Sequence, residues 1–273
     1  MTQKNIPFAI TLDVGSSLAN RTGTWRTMKP VYVNRLPPCN AKCPAGEQCQ
    51  SWLFFAESGD YESAWKRIVE DNPFPAIMGR VCYHTCETAC NRAQLDSCVG
   101  INSVERFLGD NALAKGWKFE APKKETGKKV LVVGAGPAGL SAAYHLRRMG
   151  HSVHVVDSAE AAGGMMRYGI PAYRFPRERL DEDIRAILSA GDITVHYESD
   201  IDTTTMAQIS KDYDACYVAI GAQGGKVLRM EGSEAEGVMS AVDLLTEIGE
   251  NNYPDFTGKK VVVIGGGNVA MDC

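Results

Sequence analysis

The feature that most constrains the fold is a glycine-rich segment between two apolar runs, KVLVVGAGPAGLSAAYHLRRMGHSVHVVD, at residues 129–157. Gly134, Gly136 and Gly139 have G-x-G-x-x-G spacing, and they lie between a predicted strand and a predicted helix. A second predicted strand ends at Asp157, 18 residues after Gly139. This order predicts a parallel β–α–β unit in which the helix N-terminus binds the pyrophosphate of a dinucleotide.

Each part of this motif has a physical role. Gly134 permits a tight turn, Gly136 lets the backbone approach the pyrophosphate, and Gly139 lets the helix pack closely on the strand. Asp157 is suited to accept a hydrogen bond from a ribose hydroxyl. FAD and NAD(P) share this motif, which therefore leaves the choice of dinucleotide open. The predicted contacts are Gly134, Gly136, Pro137, Ala138, Gly139 and Asp157.

Two later segments carry further glycines that suit a backbone close to an extended cofactor. The segment EAAGGMMRYGIPAYRFP contains a glycine pair ending at Gly164, followed by Arg167 and Arg174. The segment DACYVAIGA reads as a strand that runs into Gly221. We expect all four residues to contribute to cofactor binding.

The last residues, GKKVVVIGGGNVAMDC, repeat the strand-plus-glycine pattern of the first unit. The pattern predicts the start of a second nucleotide-binding unit. A strand of a parallel sheet is normally covered by neighbours on both faces. We therefore expect this chain to be the N-terminal part of a longer protein.

The cysteines are concentrated in the first part of the chain. Seven of the nine lie between residues 39 and 98, and GRVCYHTCETACNR places Cys82, Cys86 and Cys90 at four-residue spacing. In a reducing compartment, such a block favours a metal site over disulfides. The absence of a CxxC pair favours iron over zinc. Disulfides, buried thiols and a zinc site remain alternatives on this pattern alone.

Charge and hydropathy exclude several classes of function. A net charge of −4 gives no electrostatic footprint for nucleic acid, and no apolar run is long enough for a membrane span. The N-terminus carries no secretory signal, which predicts a cytoplasmic protein. Helical patterns dominate the first 120 residues or so, where Asp60 is a predicted N-cap. A polar linker follows at residues 119–129.

Six motifs occur in the same order in a known family: CNAKCPAG, GRVCYHTCETACNR, VLVVGAGPAGLSAA, GGMMRYGIPAYRFP, YVAIGA and VVVIGGGNVAMD. Through them the chain resembles the small (beta) subunit of NADPH-dependent glutamate synthase and its relatives. These relatives include the N-terminal electron-input part of dihydropyrimidine dehydrogenase. Two stretches, TWRTMKPVYVNRLPPCN and GRVCYHTCETACNR, look closest to the branch with the iron–sulfur flavoprotein encoded with dissimilatory sulfite reductase.

The resemblance implies an α/β fold with three parts. An N-terminal all-helical iron–sulfur domain is expected over residues 1–120. An incomplete Rossmann-like FAD-binding domain is expected over residues 121–240. The first strand of a truncated NAD(P)H-binding Rossmann domain is expected over residues 241–273.

The resemblance also implies cluster ligands. By resemblance, the fourth ligand comes from the cysteine of the CP motif, which is Cys43. The resemblance thus assigns one 4Fe–4S cluster to Cys43, Cys82, Cys86 and Cys90. Relatives carry an extra cysteine pair where this chain has Val31 and Asn34, which counts against a second cluster and against a glutamate synthase partner. Further candidate ligands for a second cluster are Cys39, Cys49, Cys98 and Glu105.

The implied activity is electron transfer. NADP or NAD would bind at Gly265, Gly267, Asn268 and Ala270, and its hydride would pass to FAD. Single electrons would then reach the cluster and a partner protein subunit, and no side chain is nominated as catalytic. One alternative is the glutamate synthase small subunit itself. An alternative of another class is a nucleotide-binding scaffold that a structural zinc ion stabilises and that has no redox activity.

Overall fold

Helices alone make up the first part of the described chain. The computed structural model describes residues 36–226 and 230–273. The helices of this part are α1 (Pro38–Lys42), α2 (Cys49–Glu57), α3 (Tyr61–Ile68), α4 (Pro75–Val81), α5 (Thr85–Thr88) and α6 (Ile101–Lys115), with a 3-10 turn at Asn91–Gln94. The prediction of an all-helical N-terminal region is confirmed for the described residues. Its limits at 1–120 stay a prediction.

Local sequence signals explain where α3 begins and which side it buries. The Asp60 side chain accepts a hydrogen bond from the Ser63 amide at 3.1 Å, as predicted for an N-cap. Ala64, Trp65 and Ile68 lie on the buried face at helical spacing. The helix therefore contributes its apolar side to the core.

Helices α4 and α6 pack against each other at a glycine on each helix. A Cβ on Gly109 would lie 2.3 Å from the amide nitrogen of Ala76, and a Cβ on Gly79 would lie 2.4 Å from the Cα of Arg106. Both helices therefore approach each other at backbone distance. This contact fixes the position of Cys82, which directly follows α4.

A parallel sheet forms the second part of the chain. Its strands are β1 (Lys129–Val133), β2 (Ser152–Val156), β3 (Ile193–His196) and β4 (Ala215–Val218), in the order β3-β2-β1-β4. Val133 at the end of β1 is in register with Val156 and Val218. The carboxyl ends of these strands therefore meet at one edge, where parallel α/β sheets bind ligands.

The connecting helices follow the predicted β–α–β order. They are α7 (Pro137–Arg148), α8 (Met165–Tyr168), α9 (Arg177–Leu188), α10 (Thr203–Ile209), α11 (Ala241–Gly249) and α12 (Asn268–Asp272), with a 3-10 turn at Ser210–Asp212. No helix in the described parts of the chain combines the length and the apolar character needed to cross a bilayer.

An aromatic seam joins the helices to the sheet. The buried Tyr144 hydroxyl on α7 donates a hydrogen bond to the Val69 carbonyl at the end of α3, at 2.6 Å. Trp65 packs against Trp117 and Phe119, and Phe119 packs edge-on against Tyr144. Residues 38–273 accordingly form one compact unit.

The predicted strand at the start of the second nucleotide unit is not paired in the structure. Residues 260–264 carry no ladder hydrogen bonds, and Val262 is 83% exposed. Isolated strands do not form because pairing needs a neighbouring strand. The following helix, α12, does form after the glycine turn, as predicted.

Candidate cofactor and cluster sites

The first glycine turn has the geometry that its motif predicts. Gly134 has φ +109°, and a Cβ there would lie 2.3 Å from the Ala219 carbonyl oxygen. A Cβ on Gly139 would lie 1.8 Å from the Gly134 carbonyl oxygen. Gly136 is the N-cap of α7, with Pro137 in the first turn, so the helix begins with unpaired amides. These amides and the helix dipole make the turn an anion-binding site.

Asp157 lies directly after β2, beside this turn. Its two carboxylate oxygens accept hydrogen bonds from the amides of Ala135, at 2.5 Å, and Ala159, at 2.8 Å. A carboxylate offers about four lone-pair positions, so both oxygens keep acceptor capacity. The acid is thus held in place by the backbone, with capacity for a ribose hydroxyl.

The second glycine pair closes on the first turn. The Gly163 amide donates to the Ala135 carbonyl at 2.9 Å, and Gly163 has φ +131°. A Cβ on Gly164 would lie 2.8 Å from the Cα of Gly136. The structure therefore brings Gly164 to the predicted pyrophosphate turn. Only residues without side chains permit this approach of two backbone segments.

The two predicted arginines make protein contacts. The Arg167 guanidinium donates to the Ala162 carbonyl at 2.7 Å and pairs with Asp181. Arg174 pairs with Asp272 of α12 at 2.6 Å. The structure thus gives Arg167 a role in holding the loop around the second glycine pair. Arg174 connects that loop to the second glycine turn, and cofactor contact by either arginine stays a prediction.

The second glycine turn is exposed and contacts the cysteine-rich loop. Gly265 has φ +136°, with the Cβ of Ala270 near it, and Gly267 is the N-cap of α12. The side-chain amide of Asn268 donates a hydrogen bond to the hydroxyl of Tyr83 at 3.3 Å. Tyr83 directly follows Cys82, and the sequence pattern gave it no role. Gly221 has φ +68° and follows Ala219 and Ile220, which lie against Gly134; its cofactor contact stays a prediction.

Short tertiary contacts bring the cysteine segments together. The Thr85 hydroxyl donates to the Lys42 carbonyl at 2.9 Å, which ties α5 to the residue before Cys43. The Glu87 carboxylate accepts a hydrogen bond from the backbone amide of Asn102 at 2.9 Å, which ties α5 to α6. His84, between Cys82 and Cys86, is the N-cap of α5 and has φ +55°, which is uncommon for a non-glycine residue.

All nine cysteines lie in the described residues and all are free thiols, so none forms a disulfide. The Cys49 thiol lies beside those of Cys43 and Cys86 and interacts with both. Cys82 faces Cys43 and Cys86, whereas Cys90 faces Cys86 and Cys39. Cys98 is exposed. Val31 and Asn34, which stand where relatives carry an extra cysteine pair, lie outside the described residues.

The surroundings favour the thiolate at three of these positions, and a backbone hydrogen bond at Val99 is the main cause of the lowered pKa of Cys90. A hydrogen bond from Cys49 lowers the pKa of Cys43 to about 6, and the amides of residues 45–47 add to this against the opposing effect of burial. A hydrogen bond from Cys49 also lowers the pKa of Cys86. The Cys49 pKa is correspondingly raised, first by its contacts with these two thiols and then by burial. The thiolate is the form that binds metal.

A buried polar group lies beside the thiols. The Asn72 amide nitrogen donates to carboxylate oxygens of Glu47, at 2.8 Å, and Glu105, at 2.9 Å. All three residues are buried. Burial raises the pKa of Glu47 to about 7 and raises that of Glu105. The sequence singled out Glu105 alone, because no spacing rule marks Glu47 or Asn72.

The residues present fit the cofactors that the sequence implies. Several thiols from two chain segments, three of them stabilised as thiolates, are the kind of donor set that an iron–sulfur cluster takes. The first glycine turn, where α7 begins at Gly136 with no side-chain cap, fits a pyrophosphate. In the described residues, no three His, Cys, Asp or Glu side chains are arranged to hold a single metal ion.

Comparison with known families matches both parts of the chain. Residues 33–117 match the model described as dihydropyrimidine dehydrogenase domain II, 4Fe-4S cluster. Residues 128–273 match the model described as pyridine nucleotide-disulphide oxidoreductase. Together these matches agree with the predicted order of a helical iron–sulfur region followed by a nucleotide-binding region.

Three curated relatives resemble most of the chain. The beta subunit of the NADP(+)-dependent formate dehydrogenase of Moorella thermoacetica is 34% identical, covering 90% of this chain and 38% of its own. The small chain of NADPH glutamate synthase of Bacillus subtilis is 36% identical, covering 85% and 49%. The beta subunit of the NADPH-Fe(3+) oxidoreductase of Geobacter sulfurreducens is 34% identical, covering 90% and 38%. The chain thus spans less than half the length of these relatives.

Proposed function

Because the chain belongs to the pyridine nucleotide-disulphide oxidoreductase family, within the group of glutamate synthase small-chain relatives, we propose that it is the electron-input part of an iron–sulfur flavoprotein. In the full protein, FAD and a 4Fe–4S cluster would supply the chemistry that carries electrons from NADPH or NADH to a partner subunit. The dissimilatory sulfite reductase branch stays our prediction for its position within the group.

One contact carries this proposal. The hydrogen bond from Asn268 to Tyr83 places the second glycine turn against the loop that holds Cys82. The first glycine turn lies in the same compact unit. The proposed nucleotide, flavin and cluster sites therefore belong to one compact unit, which supports electron transfer between their cofactors.

The chain's own residues bind and position the cofactors. The free amides at the start of α7 hold the pyrophosphate, and Asp157, fixed by Ala135 and Ala159, accepts the ribose hydroxyl. Cys43, Cys82, Cys86 and Cys90 would hold the cluster. When bound, the flavin accepts a hydride and the cluster carries single electrons. No side chain is needed as an acid, base or nucleophile.

The partner and the compartment are part of the proposal. The relatives are named as beta subunits or small chains, which supports a second subunit as the electron acceptor or donor. The nine free thiols suit a reducing cytoplasm. We further propose domain boundaries near residues 120 and 240, which limited proteolysis of the full-length protein would locate.

The test is cofactor analysis of the full-length protein purified without oxygen. We expect iron and acid-labile sulfide in equal amounts, together with FAD. Zinc alone would favour the scaffold alternative. A colourless protein with neither iron nor flavin would contradict the proposal. Glutamate formation with an added large subunit would identify the glutamate synthase alternative.

A further inference from the structure

We propose that the cavity between α6 and α9 binds a small, flat, apolar molecule that carries a cationic N–H donor, such as an amidine or an aromatic amine. The side chains that line this cavity belong neither to the two glycine turns nor to the cysteine segments. The inference goes beyond the proposed function, because neither iron nor a dinucleotide takes part in it.

The cavity has the size and the place of a ligand site. Its volume is about 380 Å³, which is within the range of small-molecule sites. It lies where the helical part of the chain meets α9 of the sheet part, and such junctions are a frequent location of ligand sites. Small residues keep the space open, namely Gly109, Ala112 and Gly116 at α6 and Ala186 on α9.

Aromatic side chains line part of the cavity. The Trp65 ring lies 5.8 Å from the Trp117 ring and 5.3 Å from the Phe119 ring, measured between centroids. The Lys115 ammonium group lies 5.4 Å from the centroid of the Trp117 ring. Aromatic rings pack against flat apolar groups and attract cations over their faces. These residues therefore suit a flat molecule with a positive charge.

A buried acid also lines the cavity. Asp183 on α9 is 4% exposed, and one of its carboxyl oxygens has no hydrogen-bond partner among the described residues. A buried acceptor without a partner destabilises the fold, and a donor that enters the cavity would relieve this. A charged N–H group makes the strongest hydrogen bond to a carboxylate. Asp183 therefore selects for a cationic donor.

The charges that face Asp183 leave it available to such a ligand. They come from three helices: Arg80 on α4, Asp110 on α6 and Glu182 on α9. Arg80 is already paired with Asp110 at 2.9 Å, and Glu182 with Arg179 at 2.7 Å. Asp183 makes no ion pair within residues 36–226 and 230–273. It is thus the acid of this group that an added cation can neutralise.

Burial gives the site a pH dependence. It raises the pKa of Asp183 to about 8, and the charges named above act on it in both directions. Below this pH the carboxyl group is protonated, so a cation must displace the proton in order to bind. Affinity should therefore fall about tenfold for each pH unit below about 8. The other charged side chains that line the cavity, Lys118 and Arg185, are exposed, and water screens their repulsion.

The experiment is isothermal titration calorimetry of the full-length protein with benzamidine, a flat amidinium ion. Acetophenone, which has a similar shape but no N–H donor, is the matched probe. We expect benzamidine to bind with a Kd of about 1 mM or tighter at about pH 9, and roughly a hundredfold more weakly at about pH 6. Acetophenone should bind at least about tenfold more weakly than benzamidine at the higher pH.

Two variants and a control locate the binding. Asp183→Asn keeps the shape of the side chain but removes its charge, and it should weaken benzamidine binding about tenfold or more and abolish the pH dependence. Ala186→Leu fills the cavity and should weaken binding as much. Asp200→Asn, at an exposed position away from the cavity, should bind like wild type.

Absence of benzamidine binding to the wild-type protein at about pH 9 would overturn the inference. Wild-type affinity in Asp183→Asn or Ala186→Leu would also overturn it, as would acetophenone that binds as tightly as benzamidine. If a variant does not fold, the pH dependence and the acetophenone comparison decide on the wild-type protein alone. These outcomes do not involve iron or flavin, so they are distinguishable from a failure of the proposed function.

Discussion

Gly139 packs on the carbonyl oxygen of Gly134 so closely that a Cβ on Gly139 would lie 1.8 Å from that oxygen. The contact joins the start of α7 to the end of β1. It thereby fixes the direction in which the free amides of the helix point. The dinucleotide site depends on this one distance.

Gly139→Ala should therefore destabilise the nucleotide-binding region. The added methyl group meets backbone, which cannot move aside as a flexible side chain can. We expect a loss of about 3 kcal/mol in the free energy of unfolding, with loss of flavin binding. Chemical denaturation and flavin content of the purified full-length protein measure the two effects. Full stability in this variant would contradict the assigned packing role.

Gly136→Ala separates binding from folding. A Cβ there would lie 3.7 Å from the Cα of Gly164, which is an ordinary contact, and the residue has negative φ. We expect stability within about 1 kcal/mol of wild type. Flavin affinity should fall about tenfold or more, equivalent to about 1.4 kcal/mol, because the methyl group occupies the path of the pyrophosphate. Equal flavin affinity in variant and wild type would disprove the assignment.

The side-chain amide of Asn72 donates hydrogen bonds to two buried carboxyl groups beside the thiols. Asn72→Ala leaves Glu47 and Glu105 without this donor, and we expect a loss of about 3 kcal/mol in stability. Asn111→Ala is the matched control, because Asn111 donates one exposed hydrogen bond to the Phe107 carbonyl. Thermal unfolding of both variants compares them. Equal melting temperatures would show that the buried group contributes nothing.

Asp183 predicts a pH dependence of stability. It is buried on α9, where one carboxyl oxygen has no hydrogen-bond partner. Burial raises its pKa from 3.8 to about 8, while Arg80 on α4 and the Ile77 backbone oppose the shift and Asp110 on α6 and Glu182 add to it. Because the folded form holds the proton more tightly, this group's contribution to stability falls as pH rises from about 4 to about 8.

Asp183→Asn should remove that contribution. We expect the variant to be more stable than wild type at pH 8, by about 2 kcal/mol, with a smaller difference near pH 5. The melting temperature measured across this pH range tests the sign. Asp200→Asn, at an exposed position, serves as the control. A variant curve parallel to that of wild type would contradict the account of Asp183.

Local and periodic signals account for the parts of the fold that could be predicted. The Asp60 cap, the turn at Gly134 and the order of strand and helix around it depend on neighbouring residues, and the structure confirms them. The run at 260–264 was predicted as a strand from its composition. It stays unpaired because pairing depends on partners that composition does not specify.

The cluster site could be predicted only in part. Spacing identified Cys82, Cys86 and Cys90, yet the structure places Cys49 between Cys43 and Cys86. That placement follows from the way α2 packs against α3 and α6, which is a tertiary effect. The same holds for Asn72 and Tyr83, whose contacts span 33 residues and 185 residues along the chain. Such partners have no signature in a single sequence.

The most direct test of the central claim is an anaerobic titration of the full-length protein with NADPH. Visible absorption follows the flavin, and electron paramagnetic resonance at low temperature follows the cluster. The account predicts that NADPH bleaches the flavin and that a reduced-cluster signal then appears, in a protein without added mediators. A flavin that is reduced while the iron–sulfur signal never appears, even though dithionite produces it, would contradict electron transfer between the two sites.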